Sequence, residues 1–167
     1  MQFYQVMQDV AYGVDPGTTE TGWVLWDGVR VLECGIDKNP VFLERLRGHA
    51  NREAKPRFYV EMIASYGMPV GKETFETVLW IGRFVEVWDI LGLPWSLCYR
   101  IQIKNHHCHS PKAKDSNINQ ALRDKYGKQG TKKAPGPLYG VKKHIWSALA
   151  VVTYAFESKR PCSCKIE

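Results

Sequence analysis

The sequence lacks the features that mark membrane proteins and secreted proteins. It contains no run of about 18 apolar residues, the length that a helix needs to cross a bilayer. Its first residues, MQFYQVMQDV, include no basic segment followed by an apolar one, so they do not resemble a signal peptide. Five cysteines, an odd number and widely spaced, do not form the disulfide framework of a small secreted domain. We therefore expect a cytoplasmic protein with reduced thiols and no membrane partner.

The histidines and cysteines also lack the spacing of a zinc site. Four of them are contiguous in residues 106–109, which read HHCH, and Cys162 and Cys164 are separated by one residue. Neither group matches the pair-of-pairs spacing of structural zinc ligands. Zinc is therefore disfavoured, and the sequence assigns no role to Cys162 or Cys164.

The chain does contain enough apolar sequence for one domain. It has 167 residues, of which 44% are hydrophobic, and a chain of this size can bury a substantial core. We expect a single domain over residues 1–167, with residues 159–167 as a flexible tail.

Positive charge is concentrated in residues 104–143. This segment has ten Lys or Arg against Asp115 and Asp124, a net charge of +8, whereas the rest has 13 basic and 15 acidic residues, a net charge of −2. Such segregation is typical of a protein that binds a polyanion, because Lys and Arg release condensed counterions when they contact phosphates. The alternative is a basic face kept for solubility. The interleaved Asn, Ser, Gly and Tyr can also contact a phosphodiester backbone, which favours nucleic acid.

Residues 11–27, AYGVDPGTTETGWVLWD, combine two short apolar strands with a glycine-containing turn. The first strand ends at Asp15, and residues 16–19 form the turn. Carboxylates are seldom buried without a partner, so an acid at a strand end beside Thr and Gly suits cation or phosphate chemistry. The alternative is a hairpin in which Asp15 caps its own turn.

The hydrophobic pattern predicts strands first and helices afterwards. Strands are expected at residues 10–15, 21–27, 30–36, 57–61 and 95–99, the first three as an antiparallel meander. Helices are expected at residues 41–49, 72–91, 115–127 and 141–157, the third with Asp115 or Ser116 as its N-cap. The strand at 57–61 also ends in an acid, Glu61. The helix at 72–91 is apolar over so much of its circumference that we expect it to be buried on more than one side.

Four motifs, taken as an ordered set, resemble one nuclease family. They are GVDPGTTETGWVL, VEMIASYGMPVG, KAKDSNINQAL and PGPLYGVKKHIWSALAV, between Val10 and Tyr154. With an Asp on the first strand and a Glu on the fourth, they resemble the RuvC-type Holliday-junction resolvases of the RNase H-like superfamily, in particular the phage or prophage branch. The resemblance implies an α/β, RNase H-like fold with a five-stranded mixed sheet flanked by helices. For a phage protein it implies the cytoplasm of the host cell.

The resemblance further implies a divalent-metal-dependent DNA endonuclease that resolves Holliday junctions, or other branched DNA, by paired nicks. In-line cleavage needs an activated water and charge relief for the leaving oxygen, and two metal ions about 4 Å apart supply both. Mg²⁺ prefers oxygen ligands, with Mn²⁺ as the alternative metal. Asp15 would bridge two ions and Glu61 would hold one of them. No small-molecule cofactor is expected.

The last helix departs from the family at one position. Resolvases supply two further ligands there, three residues apart: an acid or His, and then Asp. His144 matches the first, but the second is Ser147, which cannot supply the charge of a carboxylate. Either Asp115 replaces the missing acid, or His144 and water suffice, or the protein is a weak or engineered inactive form. The ordinary roles are a helix N-cap for Asp115 and a first-turn helix residue for His144.

The resemblance also assigns DNA contacts. Three lysines match basic positions near the DNA in resolvases and would position phosphates: Lys104, Lys112 and Lys114. Four more would flank the same groove: Lys132, Lys133, Lys142 and Lys143. In the loop after Glu61, Tyr66 and Met68 would press against unstacked bases at the junction. The alternatives are general surface charge for the lysines and core packing for the loop.

Paired nicks require two active sites, so we expect a two-fold homodimer bound to a four-way junction. The apolar helix at 72–91 is the expected interface, with burial inside one subunit as the alternative.

Two other function classes remain. One is a catalytically impaired junction-binding protein, because of Ser147. The other is a fragment of an actin-like ATPase, since Asp15 followed by PGTT resembles a phosphate loop; those proteins need two lobes, and this chain has length for one.

Overall fold

The computed structural model of the protein describes residues 10–51 and 55–158. Its strands are β1 (Ala11–Pro16), β2 (Glu20–Trp26), β3 (Val31–Lys38), β4 (Arg57–Met62) and β5 (Trp95–Tyr99). Its helices are α1 (Asn39–Arg47), α2 (Lys72–Ile90), α3 (Arg100–Cys108), α4 (Asp115–Tyr126) and α5 (Ile145–Glu157), and a 3-10 helix, Gly48–Asn51, follows α1. The predicted tail at 159–167, with Cys162 and Cys164, lies outside the described residues.

The strands form a five-stranded sheet in the order β3-β2-β1-β4-β5. β1, β2 and β3 pair antiparallel, as predicted, while β4 pairs parallel to β1 and β5 parallel to β4. Parallel pairs need crossover connections, which α1 and α2 provide. The predicted α/β architecture, a mixed five-stranded sheet flanked by helices, is therefore confirmed.

Helices cover both faces of the sheet. On one face, α1 and α2 enclose a core to which β1 contributes Tyr12 and Val14. On the other face, α5 packs over β1 and β2, with α3 and α4 beside it, and Ala11 belongs to that core. Successive side chains of a strand point to opposite faces, so Gly13 and Asp15 lie on the α5 face.

The start of α5 lies very close to the backbone of β1 and β2. A Cβ atom on Gly13 would stand 2.2 Å from the carbonyl oxygen of Ala148, and one on Gly22 would stand 2.8 Å from that of His144. Both separations are well inside van der Waals contact, so these two positions require glycine. Because Gly22 pairs with Asp15 in the β1–β2 ladder, this packing brings the beginning of α5 beside Asp15.

The hydrophobic pattern failed to predict α3. This helix begins at Arg100, directly after β5, and Ile103 is its one fully buried residue. With so little apolar surface to bury, α3 has too weak a helical period to be recognised in the sequence.

α1 begins at Asn39, two residues before its predicted start at residue 41. The predicted start of α5 and the predicted N-cap of α4 are also wrong. α5 begins at Ile145 rather than at residue 141, because Lys143 adopts a positive φ of 45° that a regular helix does not contain. α4 has Lys114 at its N-cap position, so the predicted N-cap at Asp115 or Ser116 is wrong. Asp115 is instead the first residue of the helix.

The longest described helix, α2, buries one face. Ile81, Phe84 and Trp88 are buried in the core, whereas Phe75 and Leu79 are 65% and 64% exposed. The prediction that this helix is buried on more than one side is therefore wrong for one copy of the chain taken alone. None of the described helices combines the length and the apolarity needed to cross a membrane.

Candidate active site

Asp15 and Glu61 stand next to each other at one edge of the sheet. β1 and β4 are parallel, and Val14 of β1 pairs with Val60 of β4, so the two acids are the next residues along their strands. Val14 and Val60 belong to the core on the opposite face, so both acids project on the α5 face. Their side chains are 19% and 14% exposed, which leaves both open to solvent.

His144 approaches Asp15 from the residue that precedes α5. Its Nδ1 atom lies 3.3 Å from Oδ2 of Asp15, and its side chain is 63% exposed. The backbone carbonyl of His144 packs directly against Gly22 of β2, which is possible because Gly22 has no side chain. Ser147, three residues further along α5, is half-buried.

The structure adds Arg100, which the sequence analysis missed. The Nη1 atom of Arg100 lies 3.3 Å from Oε2 of Glu61, and its Nη2 atom forms an ion pair with Oδ1 of Asp115. This side chain is 23% exposed, whereas that of Asp115 is 69% exposed. A signal was present, because Arg100 directly follows β5, and β5 ends beside β4 at the same edge of the sheet.

Burial and mutual repulsion make the two acids hard to ionise. Burial is the main cause that raises the pKa of Glu61 to about 7; the nearby charges of Asp15 and Asp115 also raise it, and Arg100 opposes them. Burial likewise raises the pKa of Asp15, against the lowering effect of His144 and Arg100. The charged forms of both carboxylates are therefore poorly solvated, and an added cation would stabilise them.

The donor atoms of this site suit a hard divalent cation. Asp15, Glu61 and Asp115 offer carboxylate oxygens and His144 offers an imidazole nitrogen, a set that matches Mg²⁺ or Mn²⁺ rather than a thiolate-bound metal. Within residues 10–51 and 55–158, no three acidic, His or Cys side chains already converge as metal ligands. The ion pairs explain this arrangement, because Arg100 holds Glu61 and Asp115 while His144 holds Asp15.

Asp15 also borders an open pocket. The turn from Pro16 to Glu20 and the side of His144 complete its wall, and its volume is about 310 Å³. The pocket gives an extended ligand a route to Asp15 from solvent.

Six of the seven predicted DNA-contacting lysines are exposed, and they form three pairs. Lys112 and Lys114 lie just before Asp115, and Lys142 and Lys143 directly precede His144. The third pair, Lys132 and Lys133, lies in the loop between α4 and α5. The last pair lies at the tip of a tight turn in which the backbones of Thr131 and Ala134 exchange hydrogen bonds of 2.9 and 3.1 Å. Lys104 is partly buried in α3, four residues after Arg100.

Tyr66 and Met68 project from the loop between β4 and α2. They are 56% and 69% exposed, and Tyr66 has a positive φ of 48°. Core packing, the alternative considered for this loop, is therefore wrong for both side chains.

The His-rich segment of α3 serves packing. Nε2 of His106 lies 2.6 Å from Oε2 of Glu157, and Nε2 of His107 lies 3.0 Å from the backbone oxygen of Ala150. Both histidines thus make hydrogen bonds to α5 and help to hold α3 against it.

Two solved structures superpose on nearly the whole chain. One, described as a Thermus thermophilus RuvC structure, gives a TM-score of 0.64 at 18% identity and covers 92% of this chain and 98% of that one. The other, T. thermophilus RuvC in complex with Holliday junction substrate, gives a TM-score of 0.68 at 18% identity, over 90% and 94%. The chain has the RuvC fold.

At 18% identity, this likeness concerns the fold, and the predicted RNase H-like architecture is confirmed. No protein-family model matches the sequence, and no curated protein matches it. The roles predicted for Asp15, Glu61, Asp115 and His144 therefore stay predictions, as does the assignment to a phage branch.

Proposed function

We propose that the protein is a structure-selective, divalent-metal-dependent DNA endonuclease that resolves Holliday junctions or related branched DNA by paired nicks. One observation carries the proposal: Asp15 and Glu61 stand side by side at the ends of parallel strands, with His144 against Asp15. The fold adds support, because it is shared with a RuvC solved on a Holliday junction substrate.

Asp15, Glu61 and His144 would hold Mg²⁺ or Mn²⁺. Asp115 would supply the further carboxylate that Ser147 cannot. When bound, two such ions supply an activated water and charge relief for the leaving oxygen of the phosphodiester. Burial of Asp15 and Glu61 serves this chemistry, because weakly hydrated carboxylates interact more strongly with a cation than fully solvated ones do.

The basic segment would hold the DNA. Lys112 and Lys114 lie just before Asp115, and Lys142 and Lys143 just before His144, so exposed positive charge adjoins two of the residues proposed to hold metal. Lys104 of α3 and the turn that carries Lys132 and Lys133 would extend the same surface. These lysines would contact phosphates and set the register of the DNA. The exposed Tyr66 and Met68 would press against unstacked bases at the branch point.

A second copy of the chain would cover the exposed face of α2. Phe75 and Leu79 are largely exposed there, and half-buried Val78 and Val85 lie beside them. Among the described residues, apart from the adjoining helix backbone, no atom lies within 4 Å of the place where a Cβ on Gly82 would stand, so another helix can approach closely. A two-fold dimer formed through this strip would supply the second active site that paired nicks require.

The test is cleavage of a synthetic four-way junction in the presence of Mg²⁺, with a linear duplex of the same sequence as the control substrate. We expect nicks in the junction only, and no detectable cleavage by the Asp15→Asn form or in the presence of a chelator. Glu33→Gln, which removes an exposed carboxylate from edge strand β3, should leave cleavage unchanged. Cleavage by the Asp15→Asn form at the unmodified rate would contradict the proposal.

Ser147 favours one second candidate, a junction-binding protein with impaired catalysis. A hydroxyl stands where the resolvase pattern has an acid, and Asp115 is already paired with Arg100. The same assay distinguishes the two cases with Ser147→Asp. If the unmodified protein binds junctions without cutting them, and the Ser147→Asp form cuts, the binding function is the better description.

A further inference from the structure

Arg100 brings a permanent positive charge into the candidate site. Its guanidinium spans Glu61 of β4 and Asp115 of α4, while its backbone starts α3 directly after β5. The Arg100 side chain is mostly buried, so its two ion pairs are part of the packed structure rather than incidental contacts on the surface. Arg100 therefore links Glu61, a residue proposed to bind metal, to the exposed side chain of Asp115.

A guanidinium and a metal ion compete for Glu61. Arg has five N–H donors and no lone pair, so it cannot itself become a ligand. While Nη1 of Arg100 contacts Oε2 of Glu61, one of the lone pairs of that oxygen is not available to a metal ion. The fixed charge of Arg100 also repels a dication at the same carboxylate. Full engagement of Glu61 by a metal thus requires Arg100 to release it.

The partner that could take Arg100 in exchange is a phosphodiester. Guanidinium groups bind carboxylates and phosphates in the same bidentate manner, so a DNA phosphate can replace Glu61 without leaving Arg100 unpaired. Asp115, the other partner of Arg100, is 69% exposed, and Lys112 and Lys114 lie in the segment that leads to it. Arg100 is therefore accessible from the side where the proposed DNA surface begins.

We propose that Arg100 is a positioning residue that makes metal binding depend on DNA. In the free protein it pairs with Glu61 and Asp115 and weakens their hold on a divalent cation. When DNA binds, Arg100 moves from Glu61 to a phosphate, and Glu61 becomes available to the metal. By linkage, metal and DNA then strengthen each other's binding. This inference rests on the proposed function and adds a control of the same site.

The test is the affinity of the DNA-free, full-length protein for Mn²⁺, measured by electron paramagnetic resonance. Arg100→Gln removes the charge and should tighten Mn²⁺ binding by about tenfold, a typical coupling between sites. A merely structural Arg100 would give the opposite result, because a disturbed site binds metal more weakly. Arg100→Lys retains the charge and should stay near the unmodified affinity.

The matched control is Arg45→Gln. Arg45 also bridges two acids, with Nε 3.1 Å from Oδ2 of Asp37 and Nη1 4.0 Å from Oε2 of Glu33, but it lies on α1 on the other face of the sheet. Its replacement should leave Mn²⁺ affinity unchanged. Thermal unfolding verifies that each variant folds, and Arg100→Met provides a second neutral variant if the Gln form does not.

Unchanged or weaker Mn²⁺ binding by the neutral Arg100 variants would overturn the inference. The same holds if neither the unmodified nor the neutral form binds Mn²⁺. Failure of the proposed function is recognised separately, as the absence of junction cleavage by the unmodified protein. A tighter Mn²⁺ site in the Arg100→Gln form would support the role of Arg100 even in that case.

Discussion

Glu61→Gln should stabilise the metal-free protein at about pH 8, because the charge of Glu61 is unfavourable in the folded state. Burial is the main cause that raises the pKa of Glu61 from 4.5 to about 7, with Asp15 and Asp115 acting in the same direction and Arg100 against it. A group proposed to bind metal would thus reduce stability as long as no metal is bound. Glutamine has nearly the same shape and cannot ionise.

The expected magnitude follows from proton linkage. Between pH 4.5 and about 7, the folded protein keeps a proton on Glu61 that the unfolded chain has released, so the free energy of unfolding falls as the pH rises. At about 1.4 kcal/mol per pH unit, the two pKa values correspond to a loss of about 3 kcal/mol. The advantage of the Glu61→Gln form should grow by this amount across the window and then stay constant.

The assay is urea unfolding at a series of pH values in the presence of a chelator. Trp26 and Trp88 are fully buried, so tryptophan fluorescence reports the loss of both cores. Measurements well below pH 4.5 are the internal control, because there the side chain of Glu61 is protonated in both the folded and the unfolded protein. A difference between the two proteins that does not change with pH would refute the reasoning.

Two further predictions concern the packing of α5 and the exposed face of α2. Gly22→Ala should destabilise the protein by about 1–3 kcal/mol and abolish cleavage, because its Cβ would stand 2.8 Å from the carbonyl oxygen of His144. Gly48→Ala is the control in the same unfolding and nicking assays, because its Cβ would meet no other part of the described chain within 4 Å. Equal effects of the two changes would count against the packing argument. Leu79→Lys should convert the proposed dimer to a monomer in sedimentation experiments, whereas Val29→Lys, in the exposed turn after β2, should not. A monomeric unmodified protein would disprove the dimer.

The pair of strand-end acids could be predicted because its signals are local. Asp15 and Glu61 each follow a short apolar strand and precede a turn or loop rich in Gly and Pro, and parallel pairing then brings the two strand ends together. His144 was placed by a motif rather than by periodicity. The helix pattern predicted a start at residue 141, and the positive φ of Lys143 shows why: side-chain pattern carries no information about a backbone turn of this kind.

Other features depend on packing that the sequence does not express. Its position directly after β5 indicates that Arg100 lies near the sheet edge, but a polar helix gives no period from which to predict that α3 brings the Arg100 side chain to Glu61. On α2, the apolar residues Phe75 and Ile81 look alike in the sequence. Only the position of the sheet determines that Ile81 is buried and Phe75 is exposed.

The loop from Ile63 to Gly71 joins β4 to α2, and most of its residues are exposed. Its backbone bends at Gly67, with a φ of 82°, and apart from the two adjoining residues no described part of the chain lies within 4 Å of where a side chain on that glycine would start. Surface loops of this kind tolerate insertion and exchange. The acids sit on strands, so segments of different length could be grafted here to alter which branched DNA the proposed nuclease accepts, without changing the positions of Asp15 and Glu61. Substrate choice and bond cleavage would then be separately engineerable in this scaffold.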